Sequence, residues 1–263
     1  MYIYVHYKAM QSLSRLDLIR ALRERTQRLE PSTRPVPAFA GAAPPALERL
    51  LMGQGLERGT LVEWHSASAG SGAITLALSV VGRLLEQGGA FVAIDEVGEL
   101  YPPALAGLGI PLERTVLVRP GESPAGWASL WAWEQALRCR GVAVVFGRTP
   151  GLNDRLFHRL QLAAETGGAL GFLLRPAAQR GGVSKAVVRL RVSAQPAAQA
   201  TPGLHRRRFR VELLHCRGGR VGPGAAAEVE LDHETNHVRL VSELADPAPA
   251  ASGVLQPGAQ ATG

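Results

Sequence analysis

From Thr60 to Leu174 the chain alternates short apolar runs with longer stretches of helical periodicity, and this alternation restricts the fold more than any other feature of its 263 residues. The spacing predicts strands over 60–64, 90–95, 115–119, 142–146 and 169–174, with helices over 74–87, 102–108, 124–138 and 153–166 between them. Strands separated by helices cannot pair as hairpins; they need crossover connections, which run parallel, and their near-continuous apolar character means burial on both faces. Right-handed crossovers then give an α/β fold, a doubly wound, mostly parallel sheet with helices on either side. Beyond residue 187 the pattern changes. Stretches 187–192, 206–215, 227–232 and 238–241 alternate as strands with turns between them, which predicts a small antiparallel C-terminal extension of the main sheet.

The flanks differ in character. Leu13 to Leu29 carries Leu13, Leu16, Leu18, Ile19, Leu22 and Leu29 on one broad face, with Arg15, Arg20, Arg23, Arg25 and Arg28 largely elsewhere, the pattern of an amphipathic helix that must dock on something. Residues 30–45 are rich in Pro and Ala and read as a linker, followed by a short helix at 45–51. From Ala245 onward Pro, Ala, Gly, Ser and Gln dominate, a composition that buries too little to order itself. The expected division is therefore an N-terminal helix and linker (1–44), a core domain (45–244) and a tail (245–263). No segment approaches the roughly 18–20 apolar residues of a membrane span. The opening residues Met1 to Lys8 are too short and polar for a signal peptide, so a cytoplasmic location is expected. Cys139 and Cys216 supply neither a disulfide framework nor metal-ligand spacing.

The formal net charge is +7, and the basic residues are unevenly placed. Between Leu170 and Arg220 stand Arg175, Arg180, Lys185, Arg189, Arg191, Arg206, Arg207, Arg208, Arg210, Arg217 and Arg220, against Glu212 as the only acid. Clustered guanidiniums neutralise phosphates and release counterions, which points to nucleic acid; biased composition would produce the same excess of arginine. In Arg206–Arg210 a strand would send Arg206, Arg208 and Arg210 to one face and Arg207, Phe209 and Val211 to the other. One face would then be cationic while Phe209 enters the core. The same charges would also serve a solvated edge strand guarded against edge-to-edge pairing.

The junction between the first predicted strand of the core and its helix, Val62 to Leu78, has the shape of a phosphate-binding loop without its equipment. Such a loop needs glycines that let backbone N–H groups turn inward, a Lys for the β and γ oxygens, and a Ser or Thr on Mg²⁺. Here the second glycine is Gly72, the lysine position is Ala73, the hydroxyl position is Ile74 (followed by Thr75), and the first glycine falls on Ala67. Gly70, Ser71 and Gly72 are then explained by the needs of a tight strand-to-helix turn.

Leu47 to Glu63, leading into this loop, resembles the approach to the core of RecA-type recombinases. The run Phe157-His158-Arg159-Leu160-Gln161-Leu162-Ala163-Ala164-Glu165, followed by Gly171-Phe172-Leu173-Leu174-Arg175-Pro176, resembles the ImuA family, also labelled SulA-like. These are RecA-like accessory proteins encoded beside an inactive Y-family polymerase homologue and an error-prone replicative-type polymerase. The resemblance covers roughly Pro45 to Asp232 and implies a RecA-like fold. It also implies where an ATPase would keep its acids. A Walker-B acid at the end of an apolar strand falls on Phe146. The glutamate that RecA-type recombinases place two residues after an aspartate falls on Val97 instead, with Asp95 and Glu96 nearby as a residual acidic site. Phosphoryl transfer is positioning plus electrostatics, so losing the Lys, the metal hydroxyl and the Walker-B acid together removes most of what catalysis uses.

The resemblance implies a non-catalytic adaptor in damage-induced translesion DNA synthesis, without cofactor or metal, meeting a polymerase-like partner, an error-prone polymerase, a RecA-type recombinase and single-stranded DNA. Its contacts are expected at the 13–29 helix and at Arg206, Arg207, Arg208 and Arg210. Two alternatives stay open, a divergent RecA-like ATPase using Asp95 or Glu96, and a SulA-type inhibitor of cell division. Trp127, Trp131 and Trp133 share one helix, where packing competes with base stacking. His233 and His237 beside Asp232 are explained by a hairpin without a metal.

Overall fold

A computed structural model describes residues 3–6, 45–51, 56–121, 126–149, 152–176, 186–196, 206–216, 224–232 and 238–244. The elements are β1 (Ile3–His6), α1 (Pro45–Leu50), β2 (Leu61–Ser66), α2 (Ala73–Leu85), β3 (Ala90–Ile94), α3 (Pro102–Gly107) and β4 (Thr115–Arg119). They continue with α4 (Trp127–Leu137), β5 (Val142–Arg148), α5 (Asp154–Gly167), β6 (Leu170–Arg175), β7 (Val188–Gln195), β8 (Arg206–Cys216), β9 (Ala226–Asp232) and β10 (Val238–Leu244). The expected 13–29 helix and the tail from 245 lie outside the described residues.

The strands form a single sheet in the order β1-β4-β3-β5-β6-β2-β7-β8-β9-β10. All pairings from β1 across to β7 are parallel; β8, β9 and β10 are antiparallel. The α/β, mostly parallel sheet with an antiparallel C-terminal extension is thus present, with two differences from the pattern read in sequence. β7 belongs to the parallel part, with Val62 opposite Val188 and Ser66 opposite Val192, and turns antiparallel only towards β8. Alternating apolar and polar residues mark a half-buried strand but carry no information on its direction. β1 adds a strand that the sequence pattern does not predict. Four residues give too little alternation to detect, and the strand exists by pairing with Val116–Arg119 of β4.

The central strands separate two apolar layers because successive side chains alternate between faces. Val62, Trp64, Phe91, Ala93, Val144, Phe146 and Phe172 meet α1, α2 and α3 through Leu47, Leu50, Leu76, Val80, Leu84 and Leu105. On the opposite face Leu61, Val92, Ile94, Val142, Val145 and Leu173 meet Trp133 and Leu137 of α4 and Phe157 and Leu160 of α5. Trp64, Trp133, Phe91, Phe146 and Phe172 are fully buried, and each contributes about 1.5–3 kcal/mol by leaving water. Trp64 and Phe172 tilt against each other at a centroid distance of 5.4 Å.

Local sequence sets the ends of α5. Asn153 accepts the Leu156 N–H on Oδ1 at 2.9 Å, and Gly168 takes the left-handed conformation just beyond Gly167. On the α1–α2 side the apolar layer continues under the extension through Val188, Leu190, Val192, Phe209, Val211, Val229 and Leu231. The α4–α5 layer does not follow it that far, and the second face of β7–β9 carries charged residues.

Candidate functional site

β2 runs two residues past its predicted end, through Ser66, so the loop to α2 is short and tightly tied. Ala67 donates its N–H to the Val192 carbonyl at 2.9 Å, Ser71 donates to Ser68 at 3.3 Å, and the Gly72 carbonyl accepts from Leu76 at 2.9 Å. Gly70 (φ 72°) and Gly72 (φ 82°) are left-handed, a conformation that costs other residues about 1–2 kcal/mol. Gly72 has a second reason to be small, since a Cβ there would lie 2.1 Å from Phe209 Cε1, and Phe209 is buried as its alternation predicts. Ala73 is buried in the α2-side core and Ile74 packs beside it. Thr75 is half-buried and its carbonyl accepts the Ser79 hydroxyl at 2.8 Å. Ala67, Gly70, Ser71, Gly72, Ala73, Ile74 and Thr75 are therefore brought together as one strand-to-helix turn.

Asp95 follows β3 directly and is buried. Its Oδ1 accepts the N–H groups of Gly98 (3.0 Å) and Glu99 (2.9 Å). Its Oδ2 accepts the Leu100 N–H (3.2 Å) and Arg119 Nε (3.1 Å). Arg119 also donates to the Leu100 carbonyl at 3.4 Å, and Arg148, from the strand on the other side of β3, pairs with Glu99 at 2.9 Å. The 95–101 loop is thus fixed from both neighbouring strands. It presents Glu96, Val97 and Tyr101 to solvent, the last two 62% and 67% exposed. Phe146, at the Walker-B position, is buried against Phe91.

The arginine strand differs from both expectations for it. β8 is an interior strand between β7 and β9, so protection of an edge cannot account for its charges. Nor is its polar face uniformly cationic. Arg206, Arg208 and Arg210 stand opposite Asp232, Glu230 and Glu228 of β9, acids that lie beyond the window in which the charge looked unopposed. Glu230 Oε1 accepts from Arg208 Nη2 at 3.1 Å, and Oε2 accepts from Arg239 at 2.9 and 2.7 Å. Burial pushes the Glu230 carboxyl up, but these hydrogen bonds and charges outweigh it and hold the carboxyl below its ordinary range. Arg207 is exposed and alternates with the opposite face. Arg210 makes no ion pair among the described residues.

The most concentrated charge cluster lies one strand further in, and sequence reasoning did not select it. Glu63 of β2 is 1% exposed. Its Oε1 accepts Arg175 Nε and Nη2 at 3.0 and 2.9 Å, and its Oε2 lies 3.1 Å from His65 Nε2 and 3.2 Å from Arg189 Nε. The Arg189 contact is one of charge alone, because its N–H does not line up for a hydrogen bond. Arg175 closes β6, and Arg189 is the register partner of Glu63 on β7. A glutamate between Val62 and Trp64, inside a strand expected to be buried on both faces, was the available signal. Its arginine partners stand on other strands, Arg175 being 112 residues away.

Other expectations resolve more simply. Trp133 is buried and donates its indole N–H to the Arg148 carbonyl at 3.3 Å; Trp131 is half-buried, and Trp127 is 57% exposed. Among the described residues no group of His, Cys, Asp or Glu could hold a metal, and His233 and His237 lie outside them. Burial, and then the charge of Glu57, push the Cys216 thiol up, away from a reactive thiolate. No described helix is long and apolar enough to cross a membrane.

In sequence the chain is 31% identical over 237 residues to Protein ImuA of Caulobacter vibrioides, in strain NA1000 / CB15N and in strain ATCC 19089 / CIP 103742 / CB 15 alike. The alignment covers 83% of this chain and 95% of that protein. The chain belongs to the ImuA family. No family model matches it. Among solved structures it is similar to the RadB recombinase, with a TM-score of 0.57 at 18% identity, over 77% of this chain and 100% of that one. At that identity the likeness concerns the fold, which is RecA-like.

The two stretches that carried the ImuA resemblance meet at β2. In the first, Phe157, Leu160, Ala163 and Ala164 are buried, and Gln161 donates to the Gly59 carbonyl at 3.0 Å, fixing α5 to the turn before β2. In the second, the strand ends on Arg175, the arginine that clasps Glu63.

Proposed function

We propose that this ImuA-family chain is a non-catalytic RecA-like adaptor in damage-induced, error-prone DNA synthesis. It meets a Y-family polymerase-like protein, an error-prone polymerase and a RecA-type recombinase, and it contacts single-stranded DNA. The observation that carries the non-catalytic part is the state of Asp95. Both its oxygens are taken by three backbone N–H groups and Arg119, so the acid closest to a hydrolytic position serves to hold a loop. The packing of Gly72 on Phe209 and the burial of Ala73 support the same reading, because they give the loop residues work that involves no nucleotide. RecA-like surfaces assemble head to tail through heterologous contacts, so a chain of this fold is suited to dock at the end of a recombinase filament.

The test is recovery of the tagged chain from DNA-damaged cells, with the eluate treated with nuclease. A polymerase-like protein or a recombinase retained after nuclease is the expected result. Retention of a division protein in their place would transfer the role to a SulA-type inhibitor. Mg²⁺-dependent ATP hydrolysis by the purified chain, lost on Asp95→Ala or Glu96→Gln, would overturn the non-catalytic reading in favour of a divergent ATPase; Glu96, exposed on the same loop, is the acid that rival needs.

A further inference from the structure

We propose that the polar face spanning β6, β2, β7 and β8 binds the phosphates of a single-stranded nucleic acid, with Arg189, Arg191 and Arg210 as the contacts and with Glu63 and Arg175 as the scaffold beneath them. The inference rests on the reading that the chain meets single-stranded DNA, and it relocates the contact from the arginine run of β8.

Charge decides the location. Around Glu63 the guanidiniums of Arg175, Arg189 and Arg191 face the carboxylates of Glu63 and Glu212, the latter 3.3 Å from Arg191. A cationic excess remains there. Towards β9 acids stand in register with the arginines, Glu228 opposite Arg210, Glu230 opposite Arg208 and Asp232 opposite Arg206, and Glu230 binds Arg208 together with Arg239. Arg207, on the other alternation of β8, leaves that face altogether.

Geometry makes this excess usable. Arg175 is 12% exposed and Arg189 25%, held half out of water by a carboxylate that is itself buried. Little conformational freedom is then left to lose when an anion arrives, and charge in such a place is screened less than on an open surface. Arg191, two residues further along β7, is 45% exposed. Arg189 and Arg191 share the face of Glu63 and His65 through the β2–β7 register, and Ser193 leads across to Arg210. Among the described residues the apolar cluster under α4 and α5 stops at Leu61, Leu173 and Ala186 on this side, so it does not extend over Arg191 or Arg210. A cationic track bounded by an acidic strand fits a flexible phosphodiester chain, which can be laid along β7 and kept from β9 by repulsion.

The test is fluorescence anisotropy of a labelled oligothymidylate, titrated with the full chain over a range of salt. The double substitution Arg189→Gln with Arg191→Gln is expected to weaken binding about ten-fold or more and to lower the salt slope by about 0.7 for each arginine removed. Glu212→Gln, which removes a competing carboxylate beside Arg191, is expected to tighten binding, a change that loss of fold cannot imitate. Arg208→Gln is expected to leave affinity and slope within about two-fold, its guanidinium being held by Glu230 on the acidic side of the face. The proposal is overturned if the double variant keeps the wild-type slope, if Arg208→Gln weakens binding as much, or if the wild-type chain does not bind. It is overturned equally if inorganic phosphate competes as well as oligonucleotide at equal phosphate, which would mark a simple anion site. Recovery of protein partners after nuclease is independent of all these outcomes, so this site can fail while the adaptor reading stands.

Discussion

Two buried acids of the sheet, Asp95 after β3 and Glu63 within β2, are satisfied in opposite ways. Asp95 is surrounded mainly by backbone N–H groups from the five residues that follow it, with one arginine added. The result is a closed local turn, rigid and electrically settled. Glu63 is surrounded by side chains from three strands, two of them guanidiniums, and the result is a joint between β6, β2 and β7 with positive charge to spare. An acid held by its own loop fixes that loop. An acid held by distant arginines fixes the tertiary arrangement and leaves a cationic surface above it.

The largest expected effect tests that difference directly. Glu63→Ala leaves Arg175 and Arg189 half-buried without their counterion and should cost about 3–5 kcal/mol, read from the urea midpoint. Replacing Glu63 and Arg175 together by Leu and Met should recover part of this, because only Arg189 is then left without its counterion. A cost for Glu63→Ala below that of Asp95→Asn would reverse the comparison.

Asp95→Asn keeps the shape of the side chain but loses the charge facing Arg119, and should cost about 1.5–3 kcal/mol. Its signature is local. Amide exchange should accelerate at Gly98, Glu99 and Leu100 while β6 and β7 stay protected. Acceleration across β6 and β7 would mean that the loop is no separate unit.

The smallest effect concerns Glu230, the acid that ends the cationic track. Its carboxyl is held below the ordinary 4.5 in the folded chain. The stability it contributes is therefore fully present above that value and is lost as the pH falls through the lower, folded value. Glu230→Gln should flatten the acid limb of the stability profile below about pH 4.5, with its loss of stability greatest at neutral pH and vanishing in acid. An unchanged acid limb would remove Glu230 from the account.

How far the sequence could be read depended on the range of the interaction. The strands of the core were legible because Val142–Phe146 and Leu170–Leu174 are continuous apolar runs, and the caps of α5 because Asn153 and Gly168 act on their immediate neighbours. The turn at Gly70–Gly72 was legible as small residues between a strand and a helix. Its second constraint was not, since Phe209 arrives from β8, more than a hundred residues on. The arginine strand was recognised but misjudged, because β9 supplies the opposing acids in register.

The sequence by itself determined the alternating α/β plan, the buried faces of its strands, the mostly parallel central sheet and, through two short motifs, the family. These follow from periodicity and from contacts between near neighbours, which a linear pattern records. Only the tertiary structure decided that β7 runs parallel to β2, that β8 is interior, and that Glu63 gathers arginines from β6 and β7. Each of those depends on which strands lie side by side, and charge balance on a sheet face is set by cross-strand register, a property that no single stretch of chain contains.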